Sequence, residues 1–171
     1  HVACDWDGYG YARGKNSYLY KASGEPWKML LWDLDFGLGT PDSHPVDTSL
    51  FHEIEDPAIS NRFLGTPAFR RAFLQAAKSI VDGPMLFANV NPVVDEYYAS
   101  LQLSGVAAYP PDDMKTWIGL RRNHVLSQLQ ALNAPFAISN NGGNPFSTNA
   151  NFFTLTGTAP LDVRAISVNG V

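Results

Sequence analysis

The stretch KNSYLYKASGEPWKMLLWDLDFGLG, residues 15–39, decides how the N-terminal part of the chain folds. Tyr18, Tyr20, Trp27, Leu30 and Trp32 fall into two short apolar runs on either side of Ala22-Ser23-Gly24-Glu25-Pro26. Two such runs around a Gly/Pro turn are the signature of a β-hairpin, with strands predicted at residues 17–21 and 27–33. Aromatics this dense usually fill a sheet face, so core packing is expected of them rather than stacking on a base or sugar. Residues 34–57 then hold Gly37, Gly39, Pro41, Pro45 and Pro57 among many Asp and His, and read as a long functional loop.

From Ile59 the apolar period becomes helical. Thr66-Pro67 pairs an N-cap residue with proline at the first helical position, and Phe69, Phe73, Ala76, Ala77 and Ile80 recur on one face. A second helix is predicted over residues 84–103, with Pro92 expected to kink or split it. The third starts after Pro110-Pro111-Asp112 and is expected to bury Ile118, Val125, Leu129 and Leu132. The Gly/Asn/Pro/Ser content of residues 134–151 marks a linker, and residues 152–156 and 163–168 read as strands. The expected class is therefore α+β: an N-terminal hairpin and long loop on a mainly helical lobe (residues 1–133), a linker (134–151) and the truncated start of a β-domain (152–171), whose segments resemble the opening strands of a β-sandwich.

Composition narrows the function classes. Of 171 residues, 45% are hydrophobic and 16% charged, enough for one buried core. Net charge is −4 and no block of five basic residues occurs, so nucleic acid is not an expected partner. No apolar stretch approaches the roughly 18–20 residues that cross a bilayer, so membrane insertion is not expected either. The single cysteine, Cys4, cannot close an internal disulfide. The chain opens on His1 and stops within a predicted strand, so an excised fragment is expected.

Four aspartates, Asp5, Asp7, Asp33 and Asp35, crowd this N-terminal region, with Asn16 between the two pairs. Residues two apart lie on one side of a strand, which would set Asp33 and Asp35 on a common face. Carboxylates that close repel unless a cation or proton lies between them. Oxygen-only ligation suits Mg²⁺, Mn²⁺ or Ca²⁺ rather than zinc. The plainer reading makes Asp7-Gly8 a turn and the later aspartates helix caps. His44 and His52, with Glu53, Glu55 and Asp56, offer a second metal site or a substrate contact, although their spacing matches no helical zinc motif and loops collect polar residues by default. Lys15 is either a phosphate contact or a solvated loop lysine, and His124 reads as a structural histidine of the third helix.

Trp32-Asp33-Leu34-Asp35-Phe36-Gly37-Leu38-Gly39 resembles the W-D-x-D followed by glycine of the CotH kinase family. Trp6-Asp7-Gly8-Tyr9-Gly10 and Lys15-Asn16-Ser17-Tyr18-Leu19-Tyr20 resemble that family's W-D-x-Y-G and N-x-Y-x-Y segments, in the family's order. Arg62-Phe63-Leu64, Pro67-Ala68-Phe69-Arg70 and Arg121-Arg122-Asn123 fit its helices. The resemblance implies the C-terminal lobe of an atypical kinase that uses ATP and Mg²⁺ or Mn²⁺ to phosphorylate protein hydroxyls. It implies Asp7 as the catalytic acid that accepts or orients the hydroxyl, and Asn16 as a further metal or loop-positioning ligand beside Lys15 as a cofactor contact. It implies Asp33 or Asp35 as the metal-binding acid. Asp33 is favoured because it follows the tryptophan, while Asp35-Phe36-Gly37 spells the D-F-G of ordinary kinases. By the same resemblance the protein is a bacterial one at the cell surface or outside the cell, and its substrate is a surface or coat protein.

Phosphoryl transfer needs an acid near the attacking hydroxyl and carboxylates that hold metal against phosphates. The departures are specific. Asp7 and Asn16 stand nine apart (16 − 7), against five in the ordinary kinase loop. Gly8-Tyr9-Gly10 with Gly14 misses G-x-G-x-x-G by one position, and the six residues before Asp7 hold no phosphate-covering loop or strand lysine. The competing readings are a non-catalytic kinase-like binding or adhesion domain and, last, a metal-dependent hydrolase. A dead kinase would typically have lost one of Asp7, Asn16, Asp33 and Asp35.

Overall fold

A computed structural model describes residues 1–8, 11, 15–54 and 58–168, with only the backbone of Ala58 and Ile59. Tyr9, Gly10, Gly14, Glu55, Asp56 and Pro57 of the readings above lie outside the described residues.

The hairpin forms where the turn chemistry puts it. Strands β1 (Ser17–Tyr20) and β2 (Lys28–Leu31) pair antiparallel, Ser17 opposite Leu31 and Tyr20 opposite Lys28. In the turn the Glu25 amide donates to the Ala22 carbonyl at 3.1 Å, and Gly24 takes φ +79°, a conformation that costs glycine little. The strands are shorter than expected, because Asp33 takes φ +57° and ends the extended run. The aromatics do not fill a core: Tyr18 is 63% exposed and Trp27 66%. The described residues form a two-stranded sheet here whose side chains stay open, meeting neighbours of the hairpin itself, as in the Tyr18–Trp32 stack at 6.2 Å and Lys21 Nζ 5.7 Å over the Trp27 ring.

Three helices make the lobe: α1 (Pro67–Val81), α2 (Phe87–Leu103) and α3 (Asp112–Leu132), after a π-helical segment at Ala58–Phe63. Thr66 is the N-cap of α1 with Pro67 behind it, but its hydroxyl donates back to the Arg62 carbonyl instead of capping. The buried side of α1 is Leu74, Ala77 and Val81, turned from the expected face. Phe69 and Ile80 are exposed. Phe73, Ala76 and Ile80 instead line an apolar cavity of about 480 Å³ shared with Val90 and Val94 of α2. Helix α2 is not split by Pro92, which is its sixth residue. Only one early backbone bond, to the residue 88 carbonyl, is forgone there. Helix α3 buries Ile118, Val125 and Leu129 as expected, while Leu132 is exposed and Arg121 takes a place in the stripe.

Past α3 the pairing differs from expectation. Residues 152–156 and 163–168 are not strands. The ladder is instead β3 (Ala137–Ile138) with β4 (Gly157–Thr158), antiparallel, and β3 falls inside the predicted linker. The carbonyls beyond are taken by side chains of α1: Arg71 donates to Ala159 at 3.0 Å and Val163 at 2.7 Å, and Gln75 to Leu161 at 2.9 Å. Leu161 joins the core of Leu50, Leu74, Val81, Ile118 and Val125. The class is α+β, helices with small antiparallel strand pairs. No helix among the described residues is long and apolar enough to cross a membrane.

Candidate functional site

The site grows from the open end of the hairpin. Asn16 precedes β1 and Asp33 follows β2, and the Trp32 amide donates to the Asn16 carbonyl at 3.2 Å. Both residues sit in the left-handed region, Asn16 at φ +61° and Asp33 at φ +57°. Asn and Asp enter that region more readily than other non-glycine residues, so the sequence suits the kink. The kink lets one side chain reach two segments. Asn16 Nδ2 donates to Asp7 Oδ2 at 3.2 Å and to the Asp33 carbonyl at 3.3 Å.

Asp7 is 2% exposed. Lys15 Nζ lies 2.6 Å from its Oδ2, while the lysine side chain remains 49% exposed. The Asp7 carboxylate is thus held by an ammonium and an amide N–H, and the lysine's open flank can meet an anion. Asp7, Lys15, Asn16 and the main chain of Asp33 therefore come together. The side chains of Asp33 and Asp35 are exposed, and neither lies on a strand, so alternation along β2 does not align them. Among the described residues, no group of three His, Cys, Asp or Glu ligand atoms within 4.8 Å of one another includes Asp7, Asp33 or Asp35.

The two tryptophan-acid segments are joined a second way. Trp6 stacks on Phe36 at 5.1 Å, its indole N–H donates to the Asp42 carbonyl at 2.7 Å, and the Leu38 amide donates to Ala3 at 2.9 Å. Gly39, at φ +85°, ends this run against α3, where an added Cβ would stand 2.5 Å from the Trp117 ring. Asp5 is drawn into the acidic group. Burial pushes its carboxyl above the usual range, and the Asp7 and Asp35 charges push the same way against a hydrogen bond from the Asp7 backbone.

Arg121 and Asp5 are the residues whose roles sequence reasoning missed. Arg121 is 0% exposed and donates to Val2 at 3.0 Å, His1 at 2.9 Å, Val46 at 3.0 Å and Thr48. Its place three after Ile118 and four before Val125 put it on the buried stripe, which was a readable signal. Four carbonyls satisfy a guanidinium that has five donors. Arg121 thereby ties the segment before Asp7 to the loop after Gly39.

No match is found among curated proteins or solved structures. The pattern of the family described as CotH kinase protein matches residues 2–131, more than half of the chain and all of the site just described. The chain belongs to the CotH kinase family.

Proposed function

We propose that this domain, in its full-length parent, transfers the γ-phosphate of ATP to a protein hydroxyl with a divalent metal. The observation that carries the reading is the Asn16 amide, which joins the Asp7 carboxylate to the main chain of Asp33. In the proposed roles Asp7 orients the acceptor hydroxyl and takes its proton as the oxygen attacks phosphorus. Asn16 holds Asp7 in place, and Lys15 meets phosphate oxygens through its exposed flank. Asp33 and Asp35, with Asn16, hold Mg²⁺ or Mn²⁺, whose charge would offset that of the transferring phosphoryl group. Hard oxygen donors such as these fit such an ion. The proposed setting is outside the cell or at its surface, with a surface or coat protein as substrate.

A second reading is a non-catalytic binding or adhesion domain. The exposed apolar hairpin, with Leu19, Trp27 and Leu30 open on its surface, favours it. Transfer of labelled γ-phosphate to a protein acceptor by the full-length parent, with Mg²⁺ or Mn²⁺, separates the two. Phosphotransfer predicts a signal reduced at least about 100-fold in Asp7→Ala and Asp33→Ala. A wild-type signal that both variants retain would reject it.

A further inference from the structure

The loop between Gly39 and the π-helical segment gathers a different donor set. His44, His52 and Glu53 each bring a ligand atom to within 4.8 Å of the others. His44 Nε2 lies 3.6 Å from Glu53 Oε2, and His52 Nε2 lies 3.4 Å from Glu53 Oε1. Both separations exceed the roughly 2.7–3.2 Å of an N–H···O hydrogen bond. They run to different oxygens of Glu53, so a single carboxylate spans the two rings, and ring nitrogens with a carboxylate oxygen are donors that hold zinc at about 2.0–2.1 Å. His44 Nε2 is moreover buried, with no hydrogen-bond partner among the described residues. A buried ring nitrogen left so is costly, and a cation would satisfy it.

The loop is held ready for that ion. Between the two histidines, Arg121 takes the carbonyls of Val46 and Thr48, the Leu50 amide donates to Gln128 Oε1 at 2.9 Å, and the Leu50 side chain is fully buried. Glu53, a bulky residue, sits at φ +52°, a strained backbone of the kind that clusters where a side chain must be aimed. The His44 ring lies 5.7 Å from that of Tyr11 and meets His52 edge to face at 4.7 Å.

We infer that His44, His52 and Glu53 form a three-ligand site for a zinc-class divalent transition metal, with a fourth position left to solvent. Two imidazoles and one carboxylate suit zinc, whereas the oxygen-only set at the hairpin end suits magnesium, so the two sites differ in the metal they select. A bound ion would clasp both ends of the segment that Arg121 pins at its middle. The inference does not rest on phosphotransfer.

Titration of Zn²⁺ into the metal-stripped full chain, followed by calorimetry, tests it. One equivalent should bind. His44→Ala and His52→Ala should each weaken binding beyond the roughly 10–100-fold that loss of an outer supporting partner costs, and Glu53→Gln should weaken it with side-chain size kept. X-ray absorption at the zinc edge of the wild-type 1:1 complex gives a readout that no variant's folding can spoil. Two imidazoles with oxygen at about 2.0–2.1 Å are expected. No saturable binding, wild-type affinity in both histidine variants, or fewer than two imidazoles in the spectrum would overturn the site.

Discussion

Strands β1 and β2 are regular structure with exposed side chains, from Tyr18 to Trp32, whereas residues 42–53 have almost no regular structure and are the better anchored region. The hairpin's bonds are spent within its own ladder, and its side chains face outward. The loop instead sends its carbonyls to Arg121, its Leu50 amide to Gln128 and its Leu50 side chain into the core. Two of these anchors, Arg121 and Gln128, lie on α3, and the core that takes Leu50 is built from α1 and α3 together with Leu161. Regularity and anchoring therefore come apart in this molecule: the helix holds the irregular segment, and the candidate phosphotransfer residues sit at the open end of the regular one.

The sharpest way to break this comparison is Arg121→Met, which keeps bulk and removes every donor. Four carbonyls then lose the fully buried guanidinium that joins them, and a loss of about 3–5 kcal/mol is expected, read from the denaturant midpoint. If Arg121→Met melts like the wild type, the loop is held by something else. The matching change on the hairpin, Trp27→Ser, should shift stability by no more than about 0.5 kcal/mol, because that ring is two-thirds exposed. A large loss there would mean the hairpin's apolar face is covered in solution.

A smaller effect probes the acidic end. The folded protein raises the Asp5 carboxyl's proton affinity, first through burial. A raised folded value gives stability that is complete below the unfolded value near pH 3.9 and lost as pH rises through the folded one. Asp5→Asn cannot ionise, so it should melt higher than wild type at neutral pH, with the gap closing below about pH 4. A gap that widens toward acid would show the opposite shift. Added Mn²⁺ should narrow the neutral-pH gap if a cation already relieves the charge.

Legibility followed locality. The hairpin could be read because its turn residues, Ala22 to Pro26, act within a few positions, and helices α1 to α3 because their periods and prolines do too. Which face of α1 is buried could not: Phe69 and Ile80 match a helical stripe as well as Leu74 and Val81 do, and only the position of α3 and Leu161 chooses between them. The pairing of Ala137–Ile138 with Gly157–Thr158 likewise depends on two distant segments meeting. At the site, the order Asp7, Asn16, Asp33 was readable from the family resemblance. The left-handed turn at Asp33 was not, and it is what takes Asp33 and Asp35 off the strand and points Asn16 at both segments.

Paramagnetic broadening of backbone amide signals during a Mn²⁺ titration addresses the junction most directly, since it reports every amide near the ion at once. The amides of Asp7, Asn16 and Asp33 should fade together at the same Mn²⁺ concentration. Loss of the Asp33 signal while that of Asp7 stays sharp would contradict a shared site.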